Sequence, residues 1–234
     1  MNFEQFQDYC MNELNLTLSA SQMGAFVSYL ALLKEWNVMF NLTAITDEEK
    51  IIEKHFLDSL LPLKYVSIKE KSLIDIGSGA GFPGVVLAIA NPQANIVLLE
   101  PNNKKARFLQ TVKDNLHLDN VTIVVGRAET QNTLREEFDF AIARAVKQLN
   151  ILLELAIPLL KVKGLFIAMK SHGASEEIIA SKKAMQILKA KIVVCHEDIL
   201  PTDKDLRVNL LIVKNDTTPL RYPRIYSQIS SKPL

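Results

Sequence analysis

Half of the eight glycines in this 234-residue chain stand within eight positions, at Gly77, Gly79, Gly81 and Gly84, directly after the apolar run Leu73-Ile74-Asp75-Ile76. An apolar run closed by clustered glycines reads as a buried strand that turns sharply into a helix. In an open parallel sheet, ligands bind outside the carboxyl ends of the strands. A glycine turn there lets the main chain approach a cofactor and presents the N–H groups of the next helix. The feature predicts an α/β fold with a crevice for a nucleotide-like molecule above this turn.

The texture of the chain agrees. Strand-like runs at 72–76, 95–100, 121–125, 138–143 and 165–170 alternate with helical patterns at 84–90, 104–117 and 149–160, which predicts βαβ units and a parallel sheet with helices on both faces. A last helix at 175–188 precedes two β-rich runs, 191–196 and 207–214, expected to pair as an antiparallel hairpin at one edge. The tail, 215–234, contains Pro219, Pro223 and Pro233 and is expected to be extended. Upstream of the sheet, Met23, Phe26, Val27, Leu30 and Leu33 fall at helical spacing behind a Ser19/Gln22 capping box. A second helical pattern through Ile51, Ile52, His55, Phe56 and Leu60 ends at Pro62. Two units are therefore expected: a helical extension, 1–65, and an α/β domain, 66–234, whose sheet has seven strands, mostly parallel.

Composition bounds what such a chain does. Apolar residues at 48% and charged residues at 23% describe a folded globular protein. Cys10 and Cys195 are 185 positions apart with no metal-ligand spacing, so no disulfide framework and no metal site are expected, and a reducing cytoplasm fits. The early residues Glu4, Asp8 and Glu13 give no basic segment ahead of an apolar one, so no secretory signal is expected. The long charge-free run 76–99 is interrupted by four glycines, two prolines and two asparagines, which argues against a membrane helix. Residues 1–60 carry three basic and nine acidic side chains, net −6, leaving +7 on the remainder. That remainder could meet a polyanion, or its lysines could simply solvate helix faces.

The glycine run permits two cofactors. Gly79, Gly81 and Gly84 satisfy the dinucleotide pattern GxGxxG, while Asp75, Gly77, Gly79 and Gly81 satisfy Asp-x-Gly-x-Gly-x-Gly, which resembles motif I of class I S-adenosylmethionine-dependent methyltransferases. Glu100 closes the next strand 23 residues after Gly77, where a carboxylate can accept both ribose hydroxyls of either cofactor. Hydride chemistry has no visible residues: the one Tyr-x-x-x-Lys, Tyr65 to Lys69, precedes the glycine loop instead of following it.

Among methyl acceptors, an exocyclic amine calls for Asn/Asp-Pro-Pro-aromatic after the fourth strand, where this chain reads Ala143-Arg144-Ala145-Val146. Asn91-Pro92 is more simply a turn. Carbon methylation of a pyrimidine needs an activated thiol, and Cys195, in an apolar strand, is expected to be buried and inert. A nitrogen or oxygen acceptor remains. Guanine N7 has a lone pair free at neutral pH, so its methylation needs alignment and exclusion of water rather than a base.

Together the motifs closely resemble the bacterial 16S ribosomal RNA guanine-N7 methyltransferases, the glucose-inhibited division protein B family. The resemblance runs through Trp36-Asn37, Asn41-Leu42-Thr43-Ala44-Ile45, His55-Phe56-Leu57-Asp58-Ser59-Leu60 and Asp75-Ile76-Gly77-Ser78-Gly79-Ala80-Gly81-Phe82-Pro83-Gly84. It continues with Glu100, Lys104-Lys105-Ala106-Arg107-Phe108-Leu109, Gly126-Arg127-Ala128-Glu129, Ala143-Arg144-Ala145, Lys170, Tyr222-Pro223-Arg224 and Lys232-Pro233-Leu234. Residues 131–137 and 178–190 match no motif.

The resemblance implies a Rossmann-like class I fold and methyl transfer from S-adenosyl-L-methionine to N7 of the guanine at nucleotide 527 of 16S rRNA, with naked 16S rRNA or a 30S ribosomal particle as partner. It also implies that Gly77 and Phe82 line the methionine end of the cofactor, that Gly79 is a further cofactor-binding residue, that Glu100 holds ribose, and that Ala128 and Glu129 border adenine. Arg144 matches the arginine that faces cofactor and target base. A small-molecule methyltransferase, an NAD-dependent oxidoreductase and a non-catalytic RNA-binding module stay open as competing readings. Lys104, Lys105, Arg107, Arg221 and Arg224 are candidate phosphate contacts or solvated charges, and Lys170 a phosphate contact or a solvated strand end. His55 is a functional group or a core histidine paired with Asp58. Absence of a long heptad pattern favours a monomer.

Overall fold

The computed structural model describes residues 1–144 and 147–234. Seven strands, β1 (Ser72–Ile76), β2 (Asn95–Glu100), β3 (Val121–Val125), β4 (Phe138–Arg144), β5 (Leu160–Lys170), β6 (Ala190–Ile199) and β7 (Leu206–Lys214), form one sheet in the order β3-β2-β1-β4-β5-β7-β6. The pairs β3/β2, β2/β1, β1/β4 and β4/β5 are parallel, and β7 runs antiparallel to both β5 and β6. The mostly parallel sheet and its terminal antiparallel hairpin are those expected from the alternating texture.

The strands are apolar on both sides because helices cover both faces. Leu73 and Ile74, adjacent on β1 and both fully buried, belong to two different cores. The first core joins the sheet to α1 (Phe3–Glu13), α2 (Ala20–Phe40), α5 (Gly84–Ala90) and α6 (Asn103–Asn115), with Phe6, Phe26, Tyr29, Phe56 and Phe108 at its centre. The second lies under α7 (Leu149–Ala156), α8 (Ala174–Ala180), α9 (Lys182–Ile187) and α10 (Tyr226–Ser231). The predicted Ser19/Gln22 capping box is present at the start of α2, and Asn2/Gln5 form another on α1.

Four expectations are corrected. The second N-terminal helix is not a regular one: α3 (Glu48–Ile51) passes into a π-helical stretch, Ile52–Leu57, before α4 (Asp58–Leu60) and a 3₁₀ turn, Leu61–Lys64. The tail is not wholly extended, because Ile229 is buried on the second core and fixes α10 there. The helix expected at 175–188 breaks at the buried Ser181 into α8 and α9. Cys195 is exposed rather than buried, since β6 is an edge strand with no second layer over most of its outer positions. Among the described residues, no helix is long and apolar enough to cross a membrane.

Candidate functional site

The turn after β1 needs its glycines for two different reasons. Gly77, Gly79 and Gly81 have φ of 73°, 59° and 96°, a region L side chains rarely occupy. Gly84 has ordinary backbone, but a Cβ there would lie 2.3 Å from Leu98 Cδ2 and 2.7 Å from Asp75 Oδ2. The close approach lets the Gly84 N–H donate to Asp75 Oδ2 at 2.9 Å. Asp75 Oδ1 is buried without a partner among the described residues, and burial pushes the carboxyl up to about 7.

Glu100, at the end of β2, is held from both sides by main chain. The Gly79 N–H donates to Oε2 and the Asn102 N–H to Oε1, each at 2.8 Å. The carboxylate is thereby fixed on the rim of the crevice, with lone pairs left over for a ligand. A cavity of about 470 Å³ lies against it, lined by Thr43, Gly77, Gly79, Phe82, Glu100 and Arg144 among others. A smaller apolar cavity of about 120 Å³ shares Gly77 and Pro101 with the first and is lined by Ile76, Leu99, Ala128, Glu129, Leu155 and Tyr226. All seven candidate residues from the sequence thus line one elongated cleft over the carboxyl ends of β1 and β2.

At the end of that cleft Arg144 is gripped by the N-terminal segment. In the π-helical stretch the Asp58 N–H bonds to Glu53 O and His55 O, which releases the Lys54 carbonyl from the helix ladder. Lys54 O accepts from Arg144 NH1 at 3.1 Å, and Asp58 Oδ2 accepts from the same nitrogen at 2.9 Å. Asp58 Oδ1 accepts from Arg207 Nε at 3.0 Å, so one buried carboxylate serves two guanidiniums. Asp58 is thus the partner of Arg144 and Arg207, not of His55. The His55 ring stacks on Phe82, with centroids 4.4 Å apart, and its Nε2 lies 2.8 Å from Thr43 Oγ1. Burial, and then the Arg144 charge, hold the imidazole pKa down to about 3, so the ring is neutral. Arg144 also lies over the Phe82 face, 5.1 Å from its centroid.

Beyond Arg144 and His55 opens a third cavity, of about 570 Å³, lined by Ile45, Lys54, Met169, Lys170, Arg207 and Asn209 among others. Arg144 and His55 line both this cavity and the cleft, so the two spaces meet at them. Lys170 is neither a solvated strand end nor a free phosphate contact: its Nζ donates to Glu177 Oε2 and Lys147 O, both at 2.7 Å. Arg224 donates from Nε and NH2 to the fully buried Glu154, which accounts for it structurally. Ala145 and Val146, which follow Arg144 in the sequence motif, lie outside the described residues.

Sequence reasoning missed Asp58 as the arginine clamp, Tyr226 as a cleft residue, and Arg207 and Asn209 in the third cavity. Asp58 carried a signal, an acid amid the apolar positions of a helical pattern. The others come from chain far from the glycine turn. Among the described residues, no group of three or more His, Cys, Asp or Glu is placed to hold a metal ion.

The family described as GidB, rRNA small subunit methyltransferase G, matches residues 22–201. The ribosomal RNA small subunit methyltransferase G of Clostridium beijerinckii is 43% identical over 240 aligned positions, covering 100% of both chains. Among solved structures, M. jannaschii TYW2 in complex with AdoMet is similar with TM-score 0.56 and 15% identity, over 73% of this chain and 79% of that one. The [4+2]-cyclase SpnF is similar with TM-score 0.58 and 12% identity, over 86% and 97%. At such identities the likeness is one of fold, and a cyclase in the set illustrates that this fold does not dictate one chemistry.

Proposed function

This chain belongs to the rRNA small subunit methyltransferase G family, and from that premise we propose that it transfers a methyl group from S-adenosyl-L-methionine to N7 of the guanine at nucleotide 527 of 16S rRNA. Its fold is that of class I S-adenosylmethionine-dependent methyltransferases, with helices on both faces of a seven-stranded sheet in which one strand is reversed. The observation that carries the finer reading is the meeting of an elongated cleft and a separate 570 Å³ cavity at Arg144 and His55. A donor and an acceptor bound in these two spaces face each other there.

The residues present fit the cofactor. The positive-φ glycines leave room for it against the main chain, and Glu100 stands fixed to accept two ribose hydroxyls. Ala128, Leu99 and Tyr226 offer an apolar pocket for adenine, with Glu129 at its border. Gly77 and Phe82 flank the methionine end. When bound, the cofactor supplies an electrophilic sulfonium methyl group.

What the chain contributes is alignment and a charge-shaped junction. Proximity of bound reactants can supply roughly 7–11 kcal/mol of a barrier. Neutral His55 and the paired Arg144 provide fixed dipoles and charge beside the acceptor without removing a proton, as suits a nitrogen whose lone pair is already free. Arg144 touches cofactor, base or both at this point. We take residues 1–65 as the extension that covers the acceptor side and 66–234 as the methyltransferase domain, acting as a cytoplasmic monomer on naked 16S rRNA or a 30S particle.

The test is incubation of the purified protein and tritiated cofactor with 16S rRNA lacking the modification, naked and as 30S particles. Label at N7 of that guanine is expected, and no labelled guanine in either form rejects the activity. Calorimetry with S-adenosylhomocysteine and NAD separates the cofactors, because binding of NAD alone would overturn the reading.

A further inference from the structure

Three adjacent strands bring three side chains into one row across the floor of the 570 Å³ cavity. Arg144 on β4 stands in register with Met169 on β5, and Met169 with Asn209 on β7. Directly opposed residues share a face of the sheet. At a strand spacing of about 4.8 Å, Asn209 sits about 10 Å from Arg144, across Met169.

Asn209 is 1% exposed and lines this cavity, and among the described residues its Nδ2 has no hydrogen-bond partner. Its neighbours are in the opposite condition. Arg144 donates to Lys54 O and Asp58, Arg207 to Asp58 and Leu206 O, and Lys170 to Glu177 and Lys147 O. Lys54 is paired with Asp203 and Asp205. Protein acceptors thus engage these cations, while the buried amide beside them has none among the described residues. A buried donor without an acceptor costs free energy, and the cost is recovered when a ligand supplies the acceptor.

We propose that Asn209 determines the acceptor base, its side-chain amide donating to the keto oxygen O6 of a guanine lying over Met169; this rests on the methyl-acceptor reading of the cavity. Guanine carries N7 and O6 as two acceptors on one edge. With N7 turned to the junction at Arg144 and His55, O6 lies on the same edge, within the cavity whose floor holds the waiting amide. A purine with hydrogen in place of O6 leaves the amide unpaired, and a site built around a hydrogen bond rejects the analogue lacking it far more strongly than it rejects a small change of shape.

The experiment follows the Asn209 side-chain amide by ¹⁵N NMR in the complex with S-adenosylhomocysteine, its resonance assigned by its loss in Asn209→Asp. Guanosine 5′-monophosphate is expected to move that resonance saturably, and 2-aminopurine riboside 5′-monophosphate, which lacks O6, to leave it in place. In parallel, Asn209→Asp and Asn209→Ala are expected to lower kcat/KM on unmodified 30S particles by about tenfold or more, with unchanged affinity for S-adenosylhomocysteine. If wild-type protein labels the guanine but the resonance ignores both nucleotides or answers both equally, or if the variants keep wild-type kcat/KM, the assignment of Asn209 falls and the activity stands. If wild-type protein labels no guanine, it is the activity itself that falls.

Discussion

Asp58 Oδ2 lies 2.9 Å from Arg144 NH1, and 86 residues of chain separate the two. The same carboxylate reaches Arg207 Nε at 3.0 Å, so both guanidiniums keep their place through one acid. Asp58→Asn strips the countercharge from two largely buried cations, and removing one partner of such a pair typically costs about 3–5 kcal/mol. Urea unfolding should show a loss near the lower end of that range, because both arginines retain some contact with water, together with a fall in methyl transfer. Arg144→Lys keeps the charge but loses the planar fork. Its stability should drop less than that of Asp58→Asn while transfer falls at least as far.

Two glycines respond oppositely to one added methyl group. At Gly84 a Cβ would meet Leu98 at 2.3 Å and Asp75 at 2.7 Å, so Gly84→Ala should destabilise by about 1–3 kcal/mol and weaken S-adenosylhomocysteine binding. At Gly24, inside α2, nothing lies within 4 Å, and Gly24→Ala should stabilise by about 0.5–1 kcal/mol. Thermal melts and calorimetry of the pair read both effects.

Asp75 titrates at about 7 because burial disfavours its charge. An unfolded aspartate titrates near 4, so between these values the folded protein holds the extra proton. The contribution of Asp75 to stability is therefore full below about pH 4 and lost as pH rises through about 7. Asp75→Asn carries no such titration, and its stability relative to wild type should improve as pH rises from about 4 to about 7. A difference that stays flat over that window would contradict the assignment.

His55 has the opposite sign. Its folded pKa near 3, against about 6.5 unfolded, means that the unfolded chain takes up the proton first as pH falls. Its contribution is present above about pH 6.5 and lost progressively towards pH 3. Its ring proton signals should not move between pH 5 and 8, and acid destabilisation between pH 6.5 and 4 should be shallower in His55→Gln.

Arg224 is tied to a buried carboxylate rather than held free for RNA. Its main-chain N–H and two guanidinium nitrogens all meet the fully buried Glu154. Arg224→Ala leaves that carboxylate unpaired and should cost about 3–5 kcal/mol. The salt dependence of 30S binding should keep its wild-type slope, since no phosphate contact is removed.

The outline of the fold was legible because its signals are short in range. The step from alternating strand and helix texture to parallel sheet needs only periodicity within a few residues, and the terminal hairpin follows from two strand-like runs after the last helix. The glycine turn and Glu100 one strand later both sit at carboxyl ends of strands, so knowing the strands placed them over one face. Phe82, Ala128, Glu129 and Arg144 came instead from the family resemblance, and together with Gly77, Gly79 and Glu100 they line the cleft.

What resisted reading depends on which distant groups meet. Neither the π-helical release of the Lys54 carbonyl towards Arg144, nor the sharing of Asp58 by two arginines, nor the meeting of Tyr226 with Ala128 has a local signature. The exposure of Cys195 and the pairing of Arg224 with buried Glu154 follow from an edge strand and from a tail docked on α7, not from the residues beside them. Backbone preference and side-chain periodicity are properties of a short stretch of chain, so they persist before folding is complete. Ion pairs, orphaned amides and cavities exist only after layers have packed, because each is defined by which atoms of remote segments are left facing one another.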